Sequence, residues 1–297
     1  MILLKWMVMV VEAQDNLGVG HTPLYKLHTP ADYAAVYVKL DYKNPTGSTK
    51  DRVAVEIIRQ ALNHDLLQAN GTLVEASKKD FGLSLTVFAK KMGCHSVIVM
   101  PEDAQAQKDV IEAHGGQVVT TSANLGMEGA RKKAQLLADE KGWFMPNQYY
   151  NPANSDAHEK GTGPEIIAAL AGKRIDAFVA GINTGGTLSG VGHALKEEWV
   201  GTQVVALSNH HTPFLQQEKS QPYSLESLGN GFVPDILDRD IYDEVLQLDL
   251  AAAQKLGSEV ARREGIVVKA KAAENIWAAY QVARRLGPGK IVVTIAP

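Results

Sequence analysis

From residue 50 onward, short apolar runs alternate with longer amphipathic stretches, and that rhythm leaves few folds open. Thr72–Glu75, Ser96–Met100 and Gln117–Thr120 read as strands, the second ended by Pro101. Val53–Leu62, Leu83–Met92, Gln105–His114 and Met127–Lys141 carry helical spacing between and around them. The second half repeats the pattern. Ala177–Ala180, Gln203–Leu207, Ile266–Val268 and Ile291–Thr294 read as strands. Helices are expected over Ser155–Leu170, from the glycine-rich stretch after Ala180 to Trp199, over Ala251–Glu264 and over Ala272–Leu286. Strands separated by helices pair in parallel through crossover connections. The chain therefore reads as α/β, with mostly parallel sheets covered by helices. Met145–Asn154 is polar, aromatic and proline-bearing, and reads as a crossing between two lobes, its side chains facing a cleft.

Composition narrows the function classes. The 297 residues suffice for two lobes with sizeable cores. A net charge of −3 argues against a broad basic surface, so no nucleic-acid partner is expected. The single cysteine, Cys94, makes no internal disulfide and has no metal-ligand spacing around it, so the reading is a small apolar filler in a reducing cytoplasm. The apolar Met1–Val11 is too short to span a bilayer and lacks the marks of a signal peptide. It reads as a packing or dimer-contact segment, with no membrane partner expected.

Two stretches carry chemistry. Asn44-Pro45-Thr46-Gly47-Ser48-Thr49-Lys50-Asp51-Arg52 joins the strand-like Tyr37–Leu40 to a helix, and Ser48 or Thr49 is placed to cap that helix. Lys50 thus stands at the carboxyl end of a strand, where α/β folds gather ligands. A partly desolvated lysine there can form a Schiff base with an aldehyde cofactor. The same residues also read as a solvated charged cluster at a helix start. The second stretch, Gly181–Gly190, lies between a strand and a helix. Its glycines let amides turn inward, Thr184 and Thr187 add hydroxyls, and the helix behind aims its positive end at the same spot. It lacks a Walker lysine-serine pair, so a phosphate rather than a nucleotide is expected, the alternative being a tight turn of packing glycines. An imine-forming lysine and a seat for one phosphate together suggest pyridoxal 5'-phosphate.

The same residues resemble a family. Asn44–Arg52 is similar to the cofactor-lysine motif of the cysteine synthase and cystathionine β-synthase family, and Pro45–Ser48 also looks like threonine synthase. Gly20-His21-Thr22-Pro23-Leu24 resembles the family's G-x-T-P-L. Met145–Asn154, Ala157-His158 and Thr162–Ile166 match cysteine synthases, and Gly229–Pro234 resembles their G-x-G-F-V/I-P segment. The resemblance covers nearly the whole chain. It implies the two-lobed fold of type II pyridoxal-phosphate enzymes with a cofactor cleft between the lobes. Residues 1–48 and 152–297 would form the large domain and 49–151 a smaller mobile one. Lys50 would hold the cofactor and then act as the base on Cα. Asn183, Thr184, Gly185, Gly186 and Thr187 would bind the phosphate, although the family usually has glycine at Asn183. Gln148, with Ser77, Lys78, Lys79, Phe81 and Gly229, would line the substrate. The reaction implied is β-elimination and β-replacement on an activated serine, in amino-acid biosynthesis. The family is usually a homodimer.

Three departures stand out. The family's T-S-G-N-T-G loop is Ser77-Lys78-Lys79-Asp80-Phe81-Gly82 here. Asp80 replaces an asparagine that donates to the cofactor's phenolic oxygen, and an ionised carboxylate would repel that oxygen. Phe81 replaces a small hydroxyl residue and would crowd the substrate. Where the family sets a serine against the pyridine nitrogen, the chain reads Lys269-Ala270-Lys271-Ala272-Ala273-Glu274, and a charged Lys271 would oppose protonation of that nitrogen. The chain also stops at Thr294-Ile295-Ala296-Pro297, where the family usually has a further tail beside the cofactor. Asp80 and Lys271 would be neighbours across the cofactor ring, Asp80 pairing with Lys271, Lys78 or Lys79. Lys78 and Lys79 would serve an extra acid on the substrate, or be a solvated pair. His210-His211 read as a loop or cleft rim rather than a metal site. Two functions stay open: an active enzyme with an altered amino-acid substrate, or a silent relative that binds a serine acetyltransferase, an active paralogue or an anionic ligand.

Overall fold

The structure is a computed structural model and describes residues 17–208 and 234–297. Among these residues the strands are β1 (Leu24–Lys26), β2 (Ala35–Leu40), β3 (Thr72–Ala76), β4 (His95–Pro101), β5 (Gln117–Thr121), β6 (Ala177–Gly181), β7 (Gln203–Ser208), β8 (Glu244–Gln247) and β9 (Ile291–Ala296). The α-helices are α1 (Lys50–Asn63), α2 (Asp80–Lys91), α3 (Gln105–Ala113), α4 (Gly126–Lys141), α5 (Ala153–Ala157), α6 (Gly163–Ala169), α7 (Gly186–Glu198), α8 (Leu250–Glu264) and α9 (Ala270–Leu286). The chain divides into two compact units: residues up to Gly20 with Lys43–Ala153, and His21–Tyr42 with the residues from Asn154 on.

The first unit holds the parallel sheet β3-β4-β5. Buried on one face, Ile98 and Met100 join Val53, Ile57 and Ile58 of α1 and Phe81, Leu85 and Phe88 of α2 in one apolar cluster. On the other face Val74, Val97 and Val99 meet Ala130, Ala134 and Ala138 of α4. Small residues at every fourth position give α4 a flat stripe against the β-branched strands.

The second unit holds a six-stranded sheet in the order β1-β2-β9-β6-β7-β8. Its pairs are parallel except β1 with β2. Both faces are covered, by α8 and α9 on one side (Val260, Ile276, Ala279, Val282) and by α6 and α7 on the other (Ile166, Leu188, Val191, Leu195). Coverage on both faces explains why these strands read as unbroken apolar runs.

Two expectations are corrected. Ile266–Val268 is an extended link between α8 and α9, without a strand assignment. Ile266 and Val268 pack on the core and Val267 faces solvent, so the side-chain alternation is strand-like although the segment belongs to no strand among the described residues. The helix expected over Ser155–Leu170 is three pieces, with a π-helical turn at His158–Thr162 between α5 and α6. Backbone contact favours that break. A Cβ on Gly190 of α7 would lie 2.2 Å from the carbonyl oxygen of Ser155, and one on Gly163 would lie 2.4 Å from Cβ of Ala194. The two segments lie closer than side chains would allow.

Candidate active site

Lys50 is the first residue of α1, and its amide donates to Oγ of Ser48 at 3.2 Å. The turn ahead of it is tightly held. Gly47 has φ +82°, and its amide donates to the carbonyl of Asn44 at 2.9 Å. The Asn44 side chain accepts from the amide of Gly20 at 2.8 Å. Asp51, fully buried, accepts from the amide of Thr46 at 2.7 Å, from its hydroxyl, and from the hydroxyl of Ser84 on α2 at 2.7 Å. One carboxylate thus ties the loop, the start of α1 and α2 together. Burial strips water from the Lys50 ammonium and pulls its pKa down to about 8, while the charge of Asp80 pulls the other way. A lysine near 8 supplies the neutral, nucleophilic amine in useful amounts at physiological pH.

The loop between β3 and α2 divides into buried and exposed residues. Ser77 is buried and its Oγ accepts from the amide of Gly82 at 3.0 Å, while Lys78, Lys79 and Asp80 are exposed. Phe81 is 2% exposed and packs in the apolar cluster with Val53, Ile57, Leu85 and Ile98, so its bulk is spent on the core rather than on the loop's surface. Its ring centroid is 5.9 Å from Nζ of Lys50. Gln148 is buried in the turn that follows Asn147.

In the second unit, the glycine loop joins β6 to α7. Asn275 of α9 anchors its start, accepting from the amide of Gly181 at 2.8 Å and donating to the carbonyl of Ile295 at 2.9 Å. Gly185 has φ +89°, and a Cβ there would lie 2.7 Å from Cβ of Leu237. A Cβ on Gly186 would lie 2.2 Å from Oδ1 of Asn154. The threonine hydroxyls are held from behind: Asn154 donates to Thr184 at 3.0 Å, and Thr187 lies 3.2 Å from Nε2 of His158. The other ring nitrogen of His158 is 2.9 Å from the hydroxyl of Thr162, across the π-turn. Asn183 is exposed. Lys271 is paired, its ammonium 2.8 Å from Glu274 one turn along α9 and its side chain 62% exposed. The i, i+3 spacing on one helix supplies this pairing. Gly229, His210 and His211 lie outside the described residues.

Asn154, His158 and Asn275 were not singled out as functional residues by the sequence reading. Asn154 and His158 do fall within the motif that carried the resemblance.

A desolvated lysine at a strand-to-helix turn, and an amide-rich loop with two hydroxyls at the start of a 13-residue helix, define a protein equipped for a phosphorylated carbonyl compound. Each unit by itself holds a feature that fits pyridoxal phosphate: the first an amine for the aldehyde, the second a loop at Gly185 and Gly186 that a side chain would fill. Comparison with known proteins agrees. The family model described as pyridoxal-phosphate dependent enzyme matches residues 16–297. A cysteine synthase of Staphylococcus aureus (strain Mu50 / ATCC 700699) is 40% identical over 288 residues, covering 95% of this chain and 93% of that one. The O-ureido-L-serine synthase of Streptomyces lavendulae is 34% identical over 281 residues, 94% of this chain and 87% of that one. The crystal structure of an O-ureido-L-serine synthase superposes with a TM-score of 0.86 at 33% identity, covering 96% of this chain and 90% of the other. The chain belongs to the pyridoxal-phosphate-dependent enzymes of the cysteine synthase type.

Proposed function

We propose that the protein catalyses β-replacement on an activated serine-type amino acid, with a substrate altered from that of ordinary cysteine synthases. The observation that carries this reading is Lys50, lowered to about 8 by desolvation at the head of α1 and backed by the buried Asp51 clamp. When bound, pyridoxal phosphate supplies an electron sink for carbanion charge at Cα. The side chain of Lys50 would carry the cofactor and then move the proton at Cα of the substrate. The amides of residues 183–187 and the hydroxyls of Thr184 and Thr187 would bind the phosphate. Ser77 and Gln148 would orient the substrate carboxylate. The exposed Lys78 and Lys79 beside them favour a substrate with an additional acid group, such as a phosphoserine or a dicarboxylate. The relatives named cysteine synthase and O-ureido-L-serine synthase support the reaction class. A homodimer and a reducing cytoplasm fit this reading, as does a division into a large domain and a smaller mobile one.

The test is borohydride reduction of wild type and Lys50→Ala in the presence of pyridoxal phosphate, followed by peptide mass mapping. A pyridoxyl adduct on Lys50, absent in the variant, justifies screening O-acetylserine, O-phosphoserine and acidic analogues for turnover. No adduct in wild type would end the catalytic reading and favour a relative that acts by binding a partner such as a serine acetyltransferase.

A further inference from the structure

β3 is a buried strand, yet its fourth residue is a glutamate. Glu75 is 4% exposed, between Val74 and Ala76. A buried carboxylate must find donors, and those of Glu75 come mostly from another part of the chain. Its Oε2 accepts from the amide of Asn147 at 2.6 Å, the amide of Gln148 also donates to it, and Oε1 accepts from the amide of Ala76 at 3.0 Å. Asn147 has φ +51°, in the left-handed region, which asparagine enters more readily than most residues but which is uncommon outside glycine. The segment is docked on β3 just upstream, where Phe144 donates to Thr72 at 3.1 Å and accepts from Val74 at 2.9 Å. Downstream, the amides of Tyr150 and Asn151 both donate to the carbonyl of Asn147 at 3.0 Å. Two successive amides turned onto one carboxyl group make a small nest with the acceptor built in. Tyr149, next along the turn, feels the charge of Glu75, and Arg131 feels that of Tyr149.

We infer that Glu75 is a positioning residue: its carboxylate holds the Asn147–Gln148 turn in its left-handed form and so fixes the backbone from which the Gln148 side chain projects. The substrate role of Gln148 rests on the function proposed above; the hold on the turn does not. Nothing else in that function uses Glu75. It touches none of the reacting groups and acts through the backbone of Gln148.

The experiment is hydrogen exchange read by mass spectrometry on the cofactor-free full chain, comparing wild type, Glu75→Gln and Gln148→Ala. Glu75→Gln should speed exchange in peptides covering residues 145–150 by about tenfold and leave peptides of α1 and β4 unchanged, because one acceptor oxygen is replaced by a donor facing a donor. Gln148→Ala should leave exchange in 145–150 as in wild type. With the cofactor and a turned-over serine-type substrate, Glu75→Gln should raise KM several-fold with kcat within twofold. The double variant with Gln148→Ala should then be no worse than Gln148→Ala alone. Should Glu75→Gln fail to fold, Glu75→Asp keeps the carboxyl group but shortens its reach, and the same local change in exchange is expected. Wild-type exchange over 145–150 in whichever variant folds overturns the hold on the turn. Additive KM effects overturn the link to Gln148. Because the exchange arm needs no cofactor, it separates this inference from failure of the proposed reaction.

Discussion

Asp80 and Lys50 each open a helix of the same unit, and the carboxylate of one opposes the desolvation of the other. Desolvation wins, which is why the amine comes down to about 8. Asp80→Asn should therefore lower the Lys50 pKa further. Removing a negative charge disfavours the ammonium, so the amine becomes reactive at lower pH. Asp80 is exposed and water screens it, so the change should be about one pH unit or less. Competitive acetylation of the cofactor-free protein across pH 6–10, with Lys50 followed by mass spectrometry, reads this directly. An unchanged midpoint would remove Asp80 from the tuning of the site.

Glu75 gives a second pH effect, on stability rather than on reactivity. Burial raises its pKa from 4.5 to about 7, against the pull of three backbone amides. Between those values the folded chain binds a proton that the unfolded chain releases, so stability falls as pH rises. The contribution is complete below pH 4.5 and lost as pH passes through about 7. It amounts to at most about 3 kcal/mol. Glu75→Gln cannot titrate and should flatten that slope. The Tm difference between wild type and variant, taken at pH 4.5, 5.5, 6.5 and 7.5, should shift steadily against wild type. A constant difference would mean that Glu75 titrates alike in both states.

The strands and the two chemical loops were legible because each is a local pattern: β-branched runs, Pro-Thr-Gly-Ser before Lys50, Gly-Gly-Thr at the start of α7. What stayed hidden depends on distant partners or on where an element begins. Ile266–Val268 alternates like a strand, but ladder pairing is a long-range property. The π-turn at His158–Thr162 goes with backbone contact to Gly190, which side-chain periodicity does not register. The short β1 and β8 carry too few residues for a pattern. Phe81 was placed in a loop for a simpler reason. A helix expected from Leu83 leaves it in the loop, whereas the helix starts at Asp80 and aligns Phe81 with Leu85 and Phe88 at i, i+4 and i+7.

That alignment makes Phe81 a stability residue. Phe81→Ala should cost about 3–5 kcal/mol, the range for emptying an aromatic site in a packed core. Restoring the small hydroxyl of the related loops with Phe81→Thr should be comparably costly, since it also buries a hydroxyl beside Ile57 and Leu85. Urea denaturation of the cofactor-free chain measures both. A loss under about 1 kcal/mol would return Phe81 to the loop surface and restore the idea that it shapes the substrate.

Gly186 tests the proposed phosphate seat independently of Lys50. An added methyl would meet Oδ1 of Asn154 at 2.2 Å, and Asn154 in turn donates to the hydroxyl of Thr184. Gly186→Ala must therefore displace Asn154 or the start of α7, and either movement disturbs the amides and hydroxyl that would meet the phosphate. Overpacking of this kind costs about 1–3 kcal/mol, so the fold should survive. Affinity for pyridoxal phosphate, followed by fluorescence titration, should fall at least tenfold. Reactivity of Lys50 toward pyridoxal, which lacks the phosphate, should stay within about twofold. Equal losses for the two compounds would mean that the substitution acts through general distortion rather than through the phosphate.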